Sequence, residues 1–187
     1  MNFSDDDLRK FASWESVALD FDRNVPVHQD RAMREHIQPL ILQITQSGMF
    51  EAHILEDGGL TNYFAMLVCA ADIHKEYLLS EVPREVSGLM VLLSLLAPVG
   101  VFGRSAISLS RTSAAWTLLE PHDVADPAKA KGLFEEAVLS ATKVSAYVYL
   151  SRAEIEKPLP AGIVPYEYCL SNEPWDRVFH VLFSNTD

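Results

Sequence analysis

His180 is the residue whose type and position most directly suggest acid–base chemistry. It lies in the apolar segment 177–183, where Val178 and Leu182 share its parity in the alternating pattern of a β-strand. A histidine in a central strand is buried and needs a hydrogen-bond partner. The pattern favours a structural core histidine. A catalytic base is the alternative, but no serine, cysteine or carboxylate can be matched with it from the sequence.

Arg104 and Arg111 are the second candidates for chemistry. They are the only charged residues between positions 86 and 119 of a chain that is otherwise acidic. The segment 100–105 combines two glycines, an arginine and a serine, which together could bind an anion, although it is neither a Walker A loop nor a dinucleotide fingerprint. We expect each arginine to form a structural ion pair with a carboxylate. Anion binding is the alternative.

The remaining polar motifs favour structural roles. Ser140 and Lys143 have the Ser-x-x-Lys spacing of serine β-lactamases, but the accompanying motifs of those enzymes are missing. The pair also falls at the C-terminal end of a predicted helix, so we expect two polar residues of its last turn. Asp72 and His74 supply too few ligands to define a metal site. We therefore predict no catalytic residue, no metal and no cofactor.

The charge of the chain indicates the kind of partner it could bind. The 187 residues include 15 Lys and Arg against 26 Asp and Glu, a formal net charge of −11. This balance argues against nucleic acid, because phosphate neutralisation needs clustered basic side chains, and it disfavours anionic membrane surfaces. It permits a basic protein partner, which long-range attraction would bring in faster. Solubility alone is the simpler interpretation of the charge.

These observations favour a protein-binding domain of inhibitor or immunity type, which would neutralise a basic partner. The likeness to bacterial immunity proteins is one of size and charge only. The expected contact residues are acids towards the two ends of the chain and one tryptophan in a polar turn: Asp20, Asp22, Glu154, Glu156, Glu173, Trp175 and Asp176. The alternative is a small-ligand-binding protein or enzyme with a site around His180, Arg104 and Arg111.

Hydrophobic periodicity predicts the elements that position these residues. Ser4 followed by three aspartates is typical of a capped helix start. A second helix is predicted over 29–47, with Pro39 either kinking it or marking the first turn of a new one. The segments 50–55 and 60–71 flank a glycine-rich turn and predict a β-hairpin.

The uncharged run 86–103 is the longest apolar stretch of the chain. Proline and glycine interrupt it before it reaches the length of a membrane span, so we predict a buried helix that ends near Ala97. The later elements are predicted as strands at 105–110, 114–120 and 144–150, a helix beginning at Asp126, and a closing hairpin of 164–170 with 177–183.

Together these elements predict an α+β fold in one domain, 1–187, with a mainly antiparallel sheet of about six or seven strands and helices packed on one face. Cys69 and Cys169 match neither a disulfide framework nor a zinc pattern. The acidic N-terminus is unlike a secretory signal, so we expect a cytoplasmic protein. The oligomeric state stays open.

Overall fold

The computed structural model describes residues 2–20, 24, 33–55, 61–72, 82–110, 114–166 and 174–184. Its helices are α1 (Asp5–Ala12), α2 (Gln38–Thr45), α3 (Leu133–Ala141), α4 (Arg152–Ile155) and α5 (Val178–Leu182). Its strands are β1 (Phe50–Leu55), β2 (Tyr63–Ala70), β3 (Arg84–Ser94), β4 (Val99–Leu109), β5 (Ala114–Trp116) and β6 (Val148–Tyr149). A π-helical turn (Met33–Ile37) precedes α2, and 3₁₀ turns occupy Pro121–Asp123 and Thr142–Val144.

The strands form one mixed sheet in the order β1-β2-β3-β4-β5, with β6 also paired to β4. Neighbours along the main path are antiparallel, whereas β6 runs parallel to the start of β4. β5 pairs with the other end of β4, so β5 and β6 share the edge of β4 that faces away from β3. The α+β class is confirmed. Within the described residues the sheet has six strands and is mixed rather than purely antiparallel.

The run 86–103, predicted as a buried helix that ends near Ala97 and a glycine-containing connection, instead forms most of the β3–β4 hairpin, so that prediction is wrong. The hairpin is in register from Arg84↔Leu109 to Leu93↔Gly100, and Pro98 lies in the turn. Side chains on both faces of the strand are buried along the second half of β3. A strand buried on both faces reads as a continuous apolar run, which periodicity cannot distinguish from a buried helix.

Alternate side chains of the strands contribute to two hydrophobic clusters. In β2, Leu67 belongs to the first cluster, together with buried residues of α1 and α5. Its neighbour Met66 belongs to the second cluster, together with buried residues of α2 and α3. Consecutive strand residues point to opposite faces of a sheet. The two clusters therefore contain strand side chains from opposite faces of the sheet.

The start of α1 agrees with its prediction. The hydroxyl oxygen of Ser4 accepts the N–H of Asp7 at 3.1 Å, and the Asp7 carboxylate accepts the N–H of Ser4 at 3.0 Å. The helix then ends at Ala12 because Trp14 adopts a left-handed backbone conformation, with a φ of 57°. The N–H of Trp14 donates to the carbonyl of Phe11, which is the bonding of a helix C-terminal cap usually made by glycine.

Two further local predictions are confirmed. Pro39 lies in the first turn of α2, where its missing N–H costs no helical hydrogen bond. β1 and β2 pair as an antiparallel hairpin, from Phe50↔Ala70 to Leu55↔Ala65. The turn of that hairpin and positions 29–32 lie outside the described residues. Within the described part of the chain, no helix combines the length and apolar character needed to cross a membrane.

The C-terminal third differs most from its prediction. The helix predicted from Asp126 begins at Leu133, and the Asp126 carboxylate accepts the N–H of Ala128 in a separate turn. The predicted strand 177–183 is a helix, α5, in which every residue is buried. Because consecutive residues of α5 are buried, its sequence lacks the alternation of apolar and polar residues that indicates a helix. The closing hairpin is therefore wrong for 177–183, and most of its other predicted strand, 167–170, lies outside the described residues.

Candidate functional site

A surface cleft of about 500 Å³ opens beside α5. It lies where the first 3₁₀ turn, the end of α4 and the chain leading into α5 meet. The described residues that line it are Glu120, Pro121, His122, Glu156, Pro174, Asp176, Arg177 and His180. The structure thus brings together His180 and two of the acids predicted to contact a partner, Glu156 and Asp176.

His180 lies in the first turn of α5 and is only 4% exposed. Its Nδ1 accepts the backbone N–H of Arg177 at 3.1 Å, so the imidazole caps the helix in the way a glutamine at this position would. Burial lowers the pKa of His180 to about 4, although the charge of Asp176 opposes the shift; the charge of Arg177 acts with it.

The ring of His180 is consequently neutral near pH 7. Since Nδ1 accepts a hydrogen bond, Nε2 carries the proton. In this arrangement Nδ1 is engaged as an acceptor and Nε2 can donate a hydrogen bond. The side chain is buried and hydrogen-bonded in a helix and not in the predicted strand, and it also lines a cleft, which the sequence could not indicate.

The two predicted acids in the cleft are each paired with an arginine of the same chain. Arg152 Nε donates to Glu156 Oε1 at 2.8 Å, and Arg152 Nη1 donates to the carbonyl oxygen of His122 at 3.0 Å. Arg177 Nε lies 3.1 Å from Asp176 Oδ1, and its Nη1 donates to the carbonyl oxygen of Glu156 at 3.3 Å. The paired carboxylate side chains are 39% and 50% exposed, so water screens both ion pairs.

The lining of the cleft combines negative charge with a small apolar contribution. Its described residues include three carboxylates, Glu120, Glu156 and Asp176, and one guanidinium, Arg177. With the guanidinium of Arg152, which contacts Glu156, the local sum is −1 when the histidines are neutral. The two prolines supply rigid apolar surface. A concave surface with an excess of one sign of charge attracts ions of the opposite sign. The cleft is therefore suited to binding a cationic group.

Glu154, another predicted contact residue, lines a smaller neighbouring pocket of about 200 Å³. Its carboxylate accepts both the N–H and the hydroxyl of Ser151 at 2.8 Å and thereby caps α4. Pro158, which lines this pocket, and Arg177, which lines the cleft, form an isolated antiparallel bridge. Glu154 therefore stabilises the start of α4, close to the cleft.

The other predicted contact residues are not brought into the cleft. Asp20 is exposed but lines neither pocket. Trp175 is half-buried and packs against the first hydrophobic cluster, so it is less exposed than its polar turn indicated. Asp22 and Glu173 lie outside the described residues.

Arg104 forms an ion pair with α3 rather than a site with His180. Its Nε and Nη2 lie 2.9 and 2.7 Å from Oε1 of the buried Glu135, and its guanidinium stacks 5.4 Å from the ring centre of Phe134. The segment 100–105 is part of β4 and does not form a loop. Arg111 lies outside the described residues.

The weaker motifs have structural explanations. The hydroxyl of Ser140 donates to the carbonyl of Ala137 in its own helix. Burial raises the pKa of the Cys69 thiol to about 11, which makes it unreactive at neutral pH; Cys169 and His74 lie outside the described residues. Within the described ranges, no three His, Cys, Asp or Glu side chains are arranged to hold a metal ion.

Sequence reasoning missed Glu120, His122 and Arg152. Each belongs to a short turn or a one-turn helix. Such an element is too short for a hydrophobic period to indicate which way its side chains point. Glu120 and His122 are each more than thirty residues from Glu156 in the chain. They lie near it because the 3₁₀ turn packs against α4. The one local signal was the spacing of Arg152 and Glu156, which suits an ion pair on a helix.

Comparison of the chain with protein-family models, with curated proteins and with solved structures finds no match in any of the three.

Proposed function

We propose that this chain is a protein-binding domain of inhibitor or immunity type and that the cleft beside α5 contacts a basic partner. The observation that carries the proposal is the convergence of three carboxylates, Glu120, Glu156 and Asp176, from separate segments of the chain. A net charge of −11 extends the attraction beyond the cleft and would raise the association rate with a cationic surface.

Binding is favoured over catalysis by the chemistry of the lining. The described residues of the cleft include no serine, cysteine, threonine or lysine that could act as a nucleophile. His180 is neutral, and the nitrogen that could accept a proton already accepts the N–H of Arg177. We place the protein in a reducing compartment, the cytoplasm, as part of the same proposal, since Cys69 is a buried free thiol.

The proposal is tested by affinity capture from an extract of the native host. The bait is the wild-type chain, a Glu156→Gln/Asp176→Asn variant, or a Glu85→Gln/Glu136→Gln control. Both variants change the net charge by the same amount, from −11 to −9, and the control residues are exposed and line neither pocket. We expect a basic protein to be retained by the wild type and the control and lost by the cleft variant.

The salt dependence of the same capture tests the electrostatic basis. Exposed charges are screened over shorter distances as ionic strength rises, so the partner should elute between roughly 0.05 and 0.5 M salt. Equal retention by the two variants would show that the cleft is not the contact. Retention that does not respond to salt would show that attraction between charges does not drive the association.

A small-ligand-binding protein or enzyme is the second candidate function. One observation favours it: the imidazole of His180 is nine-tenths buried and yet lines a cleft. Arg104 does not line that cleft, so the site would be smaller than the sequence indicated. A compound that raises the Tm of the wild type but not of a His180→Gln variant would support this function, and capture of a basic protein at the cleft would contradict it.

A further inference from the structure

We propose that a second copy of this chain pairs with the outer edge of β1, so that two sheets join antiparallel across a twofold axis. β1 is the first strand in the order of the sheet, and β2 is its only neighbour among the described strands. Its residues, Phe50–Leu55, do not line the cleft beside α5. The pairing therefore does not depend on the proposed function.

The outer edge of β1 presents a row of backbone hydrogen-bonding groups. On the inner edge, the N–H of Ala71 donates to the carbonyl of Met49, which fixes the direction of the backbone groups. Since these directions alternate along a strand, the N–H and C=O groups of Phe50, Ala52 and Ile54 point away from β2. Among the described residues, none forms a hydrogen bond with these outward groups. A further strand could therefore add here.

β1 lacks the features that usually protect the edge of a sheet, which are a very short strand, lysine, proline or a bulge. It is six residues long and contains neither lysine nor proline, and its register with β2 is unbroken. At the opposite side of the sheet, β5 has three residues and β6 has two. Met49 and Ile54, which are 62% and 43% exposed, add apolar surface at the edge of β1.

The sequence of β1 is complementary to itself about Ala52. When Ala52 lies opposite its own copy, the apolar Phe50 lies opposite Ile54 of the second copy. Glu51 then lies opposite His53, an acid against a base, and the twofold axis repeats that pair. The outward residues form the hydrogen-bonded pairs, with about six hydrogen bonds in all. The acid and the base form the non-hydrogen-bonded pairs, in which the Cα atoms are about 4.5 Å apart and the side chains closest.

The neighbouring registers lack this complementarity. The register can shift only in steps that keep the same backbone groups pointing towards the second copy. One step in one direction places Glu51 opposite its own copy, where two carboxylates repel each other. One step in the other direction places His53 opposite its own copy and Glu51 opposite Leu55. The charges of the strand therefore favour a single register, and this complementarity identifies the occupant as a second copy of the chain.

Sedimentation velocity of the full chain over a concentration series measures the association. An interface of one strand from each copy is small and typical of weak association, so the series extends to high micromolar concentration. A salt concentration of about 0.15 M screens the repulsion between two acidic chains. We expect a monomer–dimer equilibrium. Ala52→Pro removes an outward N–H without breaking the β1–β2 ladder, and it should raise the dimer Kd roughly tenfold or more.

Ile54→Lys is a second variant, which places a charge on the edge and should also raise the dimer Kd roughly tenfold. Val148→Lys is the matched control, because Val148 is 47% exposed and lies in β6, at the opposite side of the sheet. Both changes shift the net charge from −11 to −10. Circular dichroism spectra like that of the wild type show that the variants are folded.

Cysteine cross-linking tests the register. Glu51→Cys and His53→Cys are made as separate variants, and each is oxidised alone and in an equal mixture. We expect a disulfide-linked dimer only in the mixture, because only there does one new cysteine lie opposite the other. The second acid–base pair of that dimer stays intact. The wild type, which contains Cys69 and Cys169, is the blank.

The chain must associate for the proposal to stand, so a monomer at every concentration overturns it. Dimerisation of Ile54→Lys that equals that of Val148→Lys and of the wild type places the contact elsewhere and also overturns it. A disulfide in either single cysteine variant alone overturns the register. None of these results bears on the basic-partner function, since β1 contributes no residue to the cleft.

Discussion

Acidification should destabilise this protein through a single buried histidine. In the folded chain the pKa of His180 is about 4, against an ordinary value of 6.5, because burial disfavours the charged ring. The unfolded chain therefore binds a proton at a pH where the folded chain does not. The stability that neutral His180 contributes is present in full above pH 6.5 and is lost as the pH falls towards 4.

The magnitude follows from the difference between the two pKa values. Each pH unit between them is equivalent to about 1.4 kcal/mol of unfolding free energy. The loss between pH 7.5 and 4.5 should be about 2 to 3 kcal/mol.

The comparison variant is His180→Gln. Glutamine at the third position of a helix still accepts the N–H of the capping residue, here Arg177, but it does not titrate. Urea unfolding followed by tryptophan fluorescence, at half-unit steps from pH 4.5 to 7.5, gives the free energy of unfolding for both proteins. The carboxylates titrate in both, so their contribution cancels in the difference.

We expect the wild type to lose about 2 to 3 kcal/mol relative to His180→Gln over this range. Parallel curves for the two proteins would refute the reasoning, because they would mean that His180 gains its proton equally in the folded and unfolded states. A gain of the wild type relative to the variant at low pH would mean that His180 is stabilised as a cation, by Asp176 for instance.

Two further predictions concern buried polar groups. The hydroxyl of Tyr149 has no hydrogen-bond partner among the described residues, so Tyr149→Phe should leave the stability unchanged or raise it by up to about 1 to 2 kcal/mol. Tyr147→Phe removes a 2.9 Å hydrogen bond to the carbonyl of Ser94 and should cost about 1 kcal/mol of stability. The opposite order in urea unfolding would contradict the assignment. The buried amide of Asn62 accepts the N–H of Ser184 and donates to its hydroxyl, both at 2.8 Å. Asn62→Ala should cost about 3 kcal/mol or more, and a loss below about 1 kcal/mol in the same assay would show that water replaces the amide.

Local features were readable from the sequence where they depend on neighbouring residues. Ser4 and Asp7 cap α1 by contacts within four residues. Pro39 begins α2 because its ring suits a first turn. The β1–β2 hairpin followed from two apolar segments joined by a glycine-rich turn. The acidic charge of the chain was equally plain, and it led to two residues of the cleft, Glu156 and Asp176.

Segments buried on both sides were misread. The first part of the β3–β4 hairpin was predicted as a helix, and the helix α5 was predicted as a strand. Secondary structure is read from the spacing between buried and exposed residues, and neither segment has exposed residues along most of its length. Trp14 likewise ended α1 at a position where glycine is the usual signal.

The sequence by itself determined the charge, the α+β class and the capped and turn-linked elements, because these depend on composition or on residues close together in the chain. Only the tertiary structure decided the conformation of the apolar runs, since the partners that bury their second faces lie elsewhere in the chain. The tertiary structure also decided which residues line the cleft. Glu120, Glu156 and His180 come from three short segments that meet only through packing, and no local pattern records which turns a folded chain brings together.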